Sequence, residues 1–391
     1  EQIRVTAQLI HAETDEHQWA DSYDGQLQDL FALQEDIAIK VASALTSAVG
    51  GVSEISSSAR TEDPVAYEAY LIGKSQLHRR SAESMLAAIE SFERSIAQDP
   101  GYAPGYAGLA MTYGLFIPYG HPELNGYELY GIAMRMADRA IELDGNFGEA
   151  YAARGFLTSR ALGPAEPIEA DFQRALELSP NSADAHGWYA SFLVREGRYN
   201  EAADEADKAI DIDPLHPGKH YGAALDAIGF NQYDVVIQES LRAVGLEPTL
   251  TVSYFLLGLA NLLEGRPDEC LSVLGDRSPG VRAMCHYSRG NETQAMQIVD
   301  SLKSALNSSE QPVNNAEMIL YRDIAMFYAW IGETDETLDW MEGAVSWSHH
   351  AIDFRYIDSG IFAKVLGDTG FQSGLERIRT RARERIVQAA G

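Results

Sequence analysis

Residues 183–216 read ADAHGWYASFLVREGRYNEAADEADKAIDIDPLH. The pattern predicts a helix over about 183–196 and a turn at Gly197-Arg198-Tyr199, since glycine tolerates the backbone that ends a helix. A second helix follows over 200–212, with Ala202, Ala206 and Ala209 at i, i+4 and i+7. Small residues at that spacing let neighbouring helices approach closely. Pro214 stops the helix, because it lacks an N–H and its ring clashes with the preceding turn. The same arrangement returns at a fixed distance. Pro180, Pro214 and Pro248 stand 34 residues apart, each preceded five residues earlier by alanine: Ala175, Ala209 and Ala243.

Working outward, 217–250 repeats the unit with a turn over Gly229–Tyr233. The next opens at Thr251, turns at Gly265-Arg266-Pro267 and closes on a short second helix near Gly275. Upstream the units are stretched. One ends with Ala88, Phe92, Ser95 and Pro100. Another opens at Tyr106, Leu109 and Tyr113 and closes with Ala133, Ala137 and Ala140, with an insertion at 116–126. A third runs from Tyr151 to Pro180 with an enlarged turn at 163–167. Downstream the period weakens into degenerate pairs at 281–306 and 318–345. About eight helix pairs are expected. None buries its apolar face alone, so each is stabilised by its neighbours.

This period, with its turn glycines and closing prolines, resembles the tetratricopeptide repeat, a helix-turn-helix unit that stacks into a right-handed solenoid. The fold class expected is mainly α, an α-α superhelix preceded by a short β-hairpin and a helix. Ile3, Val5, Ala7 and Leu9 alternate with polar residues, which is the period of a strand. Trp19, Asp21 and Tyr23 continue as a second strand. Leu30, Leu33, Ile37, Val41 and Leu45 then recur at helical spacing. Residues 1–49 are expected to form the end of another domain, 50–63 a linker, 64–345 the solenoid and 346–391 a capping segment. Because the chain opens directly in a strand, it is expected to be cut from a longer protein.

Residues 3–45, with Ile3-Arg-Val-Thr-Ala-Gln-Leu and Trp19-Ala-Asp-Ser-Tyr-Asp24, are similar to the end of a TolB-amino-terminal-like domain. Residues 66–113 resemble the repeats that follow it, and 355–371 resemble the closing segment of the same architecture. The resemblance implies a bacterial multidomain signalling or transcription regulator. Its output module upstream would be a class III adenylate or guanylate cyclase, or a winged-helix domain as in CadC-like proteins. It implies a sensory or scaffolding part whose ligand it does not specify. The function expected is non-enzymatic binding of a protein or peptide. The alternatives are a small-molecule sensor region controlling a cyclase, and a dimerisation module.

A formal net charge of −28 argues against nucleic acid as a direct ligand, since phosphate backbones need a basic field. No apolar run reaches the roughly 18 to 20 residues that span a bilayer, so no membrane insertion is expected. A cytoplasmic location is expected, with the periplasm as the alternative. Cys270 and Cys285 fit no zinc spacing and are expected to pack between helices. Neither metal nor cofactor is implied.

The search for chemistry returns little. Gly73-Lys74-Ser75 lacks the upstream glycine of a phosphate loop, Glu68 standing there instead. His11, His17, His349 and His350 are expected to be surface residues.

The first helix of each unit is expected to line the concave face. Its inward positions give a peptide groove of Met111, Phe156, Arg160, Ser191, Arg195, Tyr221, Leu225, Phe255 and Leu259. Arg160 and Arg195 would take an acidic group. The hairpin edge, with Ile3, Val5, Ala7, Leu9, Trp19 and Tyr23, would serve a homodimer. In the tail, Leu375, Ile378, Ala382 and Ile386 form an apolar stripe among Arg377, Arg379, Arg381, Arg383 and Arg385, as a capping helix would. The stack is expected to be a curved ribbon of paired helices.

Overall fold

The computed structural model describes residues 2–10, 17–26, 61–117, 121, 123–161, 163–307, 315–348, 354–357 and 359–390. Strands β1 (Gln2–Ile10) and β2 (His17–Gln26) form an antiparallel hairpin, with Val5 opposite Tyr23, Leu9 opposite Trp19, and an irregularity between Leu9 and Ile10. The helix expected over 30–45, and His11, His349 and His350, lie outside the described residues.

Eight helix pairs follow. They are α1 (Pro64–His78) with α2 (Ala82–Gln98), α3 (Ala103–Phe116) with α4 (Gly126–Leu143), and α5 (Gly148–Arg160) with α6 (Ala165–Leu178). Next come α7 (Ala183–Arg195) with α8 (Tyr199–Ile212), and α9 (Pro217–Ile228) with α10 (Tyr233–Leu246). The last are α11 (Thr251–Leu263) with α12 (Pro267–Leu274), α13 (Pro279–Ser288) with α14 (Glu292–Asn307), and α15 (Asn315–Ile331) with α16 (Thr334–Trp347). The first helices of successive pairs pack on one another from α1 through α15, which makes the inner row of a solenoid.

Three local devices recur with the 34-residue period. Gly197, Asn231 and Gly265 end the first helices of their pairs in the left-handed region, at φ of 74°, 57° and 75°. Glycine adopts it freely and asparagine readily. Ala175, Ala209 and Ala243 are buried where the two helices of a pair meet the next. The His186 ring reaches the Pro180 carbonyl at 2.9 Å and Glu205 at 2.5 Å. One unit later, His220 reaches the Pro214 carbonyl at 2.9 Å and Glu239 at 2.7 Å. Tyr106 and Tyr151 hold the same place in the stretched units, donating to the carbonyls of Pro100 and Gly145. These four units thus hook their first turns onto the residue that closed the one before.

The chain's end ties distant pairs of the ribbon together. After a short helix α17 (Phe354–Ile357) and a 3-10 turn at Gly360–Phe362, the long helix α18 (Thr369–Ala390) packs on both α16 and α4. Its stripe of Leu375, Ile378, Ala382 and Ile386 is buried, as a helix covering apolar surface requires. Tyr127 of α4 donates to the Val345 carbonyl of α16 at 2.7 Å, and Arg385 bonds the Ser346 carbonyl while lying 5.7 Å over the Tyr127 ring. The eighth pair is therefore tied to the second, and the stack closes on itself. Its tail serves as a bridge between sequence-distant pairs, which local periodicity does not encode.

The expectation for the cysteines is also corrected. Cys270 of α12 and Cys285 of α13 form a disulfide. Consecutive short helices bring their Cα atoms to 6.6 Å, within the reach of such a bond. Among the described residues no helix is long and apolar enough to cross a membrane.

Candidate binding cavity on the inner face

The closed stack leaves a cavity of about 390 Å³ on the inner side. Alternate helices α3, α5, α7, α9, α11 and α15 line it. Ala206 and Ala209 of α8, the α12–α13 loop, Tyr356 of α17 and Arg80 after α1 complete the wall. Of the groove residues expected from the sequence, Phe156, Arg160, Ser191, Tyr221, Leu225 and Phe255 line this space. Met111 and Leu259 are not on the wall but sit in the inter-helix cores. Arg195 is also off it: its guanidinium donates to the Ser159 carbonyl at 2.8 Å and lies 4.9 Å over the Phe192 ring. The inner helices share their inward side between cavity and helix-helix core, so a count at 3.6-residue spacing mixes the two.

Two clusters of ring and arginine face the cavity. In one, Phe156 packs on Trp188 with centroids 4.8 Å apart and carries Arg160 at 5.5 Å. In the other, Phe255 meets Tyr356 at 5.6 Å and carries Arg322 at 4.5 Å. A guanidinium over an aromatic face is attracted by the ring quadrupole. Arg322 bonds the buried Asp323 at 2.7 and 3.1 Å, and Asp323 also accepts from the Gly280 N–H at 3.3 Å. Burial opposes the Arg322 charge, and Asp323 beside it more than restores it. The Ser191 hydroxyl lies 2.8 and 3.0 Å from the oxygens of Asp226.

A basic node closes one side. Lys219 is ion-paired with Asp184, and Arg80 approaches both. Burial alone would raise the Asp184 carboxyl, but Lys219 and Arg80 outweigh it and hold it well below the usual carboxylate range. The His216 ring lies 4.1 Å from that of His78, tilted by 50°, which brings the end of α1 onto the start of the fifth pair. His216 Nδ1 accepts the Gly218 N–H at 3.0 Å and so caps α9. Burial, then the charges of Arg80, Lys219 and His78, push its pKa far down and keep the ring neutral.

The cation residues Arg80, Lys219, Arg277 and Arg322, and the rings Trp188 and Tyr356, were missed in the sequence. One of them carries a signal. Arg80 ends α1 at φ 55°, in the place held elsewhere by Gly197, Asn231 and Gly265. Gly73-Lys74-Ser75 lies within α1: Gly73 makes room for the Phe92 ring and Lys74 pairs with Glu149 at 3.4 Å. The hairpin residues Ile3, Val5, Ala7, Leu9, Trp19 and Tyr23 all fall within the paired strands. Among the described residues no group of three His, Cys, Asp or Glu is placed to hold a metal ion.

The tetratricopeptide-repeat family profile matches residues 172–204, which run from α6 into α8. The chain carries a tetratricopeptide-repeat region. Putative adenylate cyclase 3 of Rhizobium meliloti (strain 1021) is 32% identical over 110 residues, 28% of this chain and 19% of that relative's length. The chain therefore spans less than a fifth of that relative. Among solved structures, an IFIT1 monomeric mutant with Gppp-AAAA is 15% identical, with a TM-score of 0.49 over 90% of this chain and 77% of its own. Yeast Tom70 is 14% identical at a TM-score of 0.44, over 91% of this chain and 76% of its own. The pilus biogenesis factor PilW is 18% identical at 0.43, over 53% of this chain and 95% of its own.

Proposed function

We propose that the repeat region is a non-enzymatic interaction and scaffolding part of a multidomain bacterial signalling protein. One observation carries this: a stack of interaction-type repeats shares sequence with a short segment of a longer protein named as an adenylate cyclase. The resemblance of residues 3–45 to a TolB-amino-terminal-like end supports the same context. Affinity capture from the host lysate by the full chain, set beside an Arg160→Glu, Tyr221→Ser double variant, tests it. A partner lost by the variant supports recognition on the inner face. A partner held equally by both removes the inner face from that role.

A second reading, a small-molecule sensor region, is favoured by a different observation. His78 meets His216 and Tyr356 meets Phe255 across the inner side, so a bounded cavity stands where an open groove was expected. As to compartment, the Cys270–Cys285 disulfide favours the periplasmic alternative over the cytoplasm, where thiols are kept reduced. A thiol titration of protein purified without reductant checks this: two free thiols would return the balance to the cytoplasm.

A further inference from the structure

We propose that the inner cavity is a receptor site for a small organic anion carrying a flat ring, such as a heteroaryl phosphate or an aryl carboxylate. The inference rests on the sensor reading above and adds to it the chemistry of the ligand.

The first ground is charge. The chain has 58 acidic and 30 basic residues, so an average patch of its surface is negative. The cavity wall inverts this, with Arg80, Arg160, Lys219, Arg277 and Arg322 against Asp226 and Asp323. Both carboxylates are engaged, Asp226 with Ser191 and Asp323 with Arg322 and the Gly280 N–H. Adding Asp184, the partner of Lys219, still leaves the cations in excess. Cations gathered in a recess with low-dielectric walls focus their field on a bound anion.

The second ground is Arg80. Repeat turns elsewhere in this chain place glycine or asparagine in the left-handed region, whereas the first pair places an arginine there at φ 55°. A residue with a long side chain is strained in that conformation, because its Cβ crowds the following carbonyl. Its Nε is buried with no hydrogen-bond partner. Among the described residues, Ser278, also on the cavity wall, is the other non-glycine residue besides Asn231 and Arg80 held at positive φ, at 49°. Strain of this kind persists where the surroundings over-determine it, and it clusters at ligand sites. A buried donor without a partner is a cost that an anionic oxygen would remove.

Size and shape supply the third ground. About 390 Å³ lies in the range of small-ligand pockets. The Phe156–Trp188 and Phe255–Tyr356 pairs offer flat apolar faces beside the arginines.

The full chain is titrated by calorimetry and thermal shift with AMP and indole-3-acetate as anions. Adenosine and indole-3-acetamide serve as their uncharged counterparts, with inorganic phosphate alone and a short Glu/Phe peptide beside them. At least one ring-bearing anion is expected to bind with Kd below about 1 mM and raise Tm, its uncharged counterpart binding at least about tenfold more weakly. AMP against indole-3-acetate separates phosphate from carboxylate. Arg80→Gly is expected to weaken that binding about tenfold or more while leaving Tm unchanged or higher, because glycine suits the turn. Arg277→Gln, on a side chain that lies over Tyr254 at 4.3 Å, gives a second reading of the same loss.

Equal binding of the charged and uncharged members of a pair overturns the anion inference and leaves the sensor reading standing. Binding of the peptide alone overturns both. No binding of either anion at about 1 mM, or anion binding untouched in both variants, also overturns the inference.

Discussion

The pairs α7–α8, α9–α10 and α11–α12 differ in kind from the segments that close the molecule. In the middle, α7–α8 and α9–α10 repeat the same three devices: a left-handed turn at Gly197 or Asn231, a buried alanine, and a hook onto the preceding carbonyl, while α11–α12 keeps the turn at Gly265. At the closure, each contact occurs once. Tyr127 finds Val345, Arg385 finds Ser346, and His78 finds His216. Repetition makes the solenoid robust, since a defect in one unit is shared with two neighbours. Singular contacts decide whether the solenoid stays an open spiral or becomes a closed body around a cavity.

The comparison is broken most severely at α18. Removing residues 369–391 exposes the surfaces covered by Leu375, Ile378 and Ile386, each worth about 2 kcal/mol of burial. A loss of roughly 6 kcal/mol is therefore expected, read as a lower urea midpoint for the truncation than for the full chain. An unchanged midpoint would mean that the closure contributes nothing.

Next in size is the bridge between the two regimes. Cys270→Ser opens a disulfide with a sequence separation of 15, for which loop entropy suggests about 3 kcal/mol. Wild-type protein with and without dithiothreitol should show the same drop in Tm, and the variant should show none.

A smaller effect sharpens the contrast between the turns. Gly197→Arg installs in the regular array what the first pair carries at Arg80. The left-handed backbone at φ 74° should make it cost about 1 kcal/mol. Thermal unfolding of the single variant checks this.

The last test uses pH. His216 stays neutral in the fold, while an unfolded histidine takes up a proton below about pH 6.5. The unfolded state then binds the extra proton, so stability is full above that pH and declines as pH falls through it. The slope is up to about 1.4 kcal/mol per unit. His216→Asn replaces the capping Nδ1 with an amide oxygen and should flatten the profile between pH 6.5 and 5.

The same contrast explains what the sequence made legible. The helix pairs, their turn glycines and the short helix ending at Gly275 follow from local chemistry repeated at fixed distance, and the structure has them where the period predicts. Six groove positions reach the cavity because the inner row follows helical spacing. Arg322 and Tyr356 do not announce themselves, since they arrive from weakly periodic segments far along the chain. Lys219 is chosen by Asp184, a partner 35 residues away. Arg80 was the exception. Its position in the turn marks it, once the turn is compared with those at 197, 231 and 265. The disulfide was illegible for the reason the closure was: proximity of two side chains across separate helices is a property of packing.

Closure also changes how the molecule would respond to force. A spiral yields to a pull at one end by unwinding slightly at each joint. A hoop cannot do so without opening a seam. Any displacement entering ahead of Pro64 travels along the 15-residue helix α1 and reaches His78 and Arg80 at its far end. The seam at α18 prevents the other side from drifting to absorb it. Tension on the amino-terminal side would thus bear on the turn at Arg80 through one short lever.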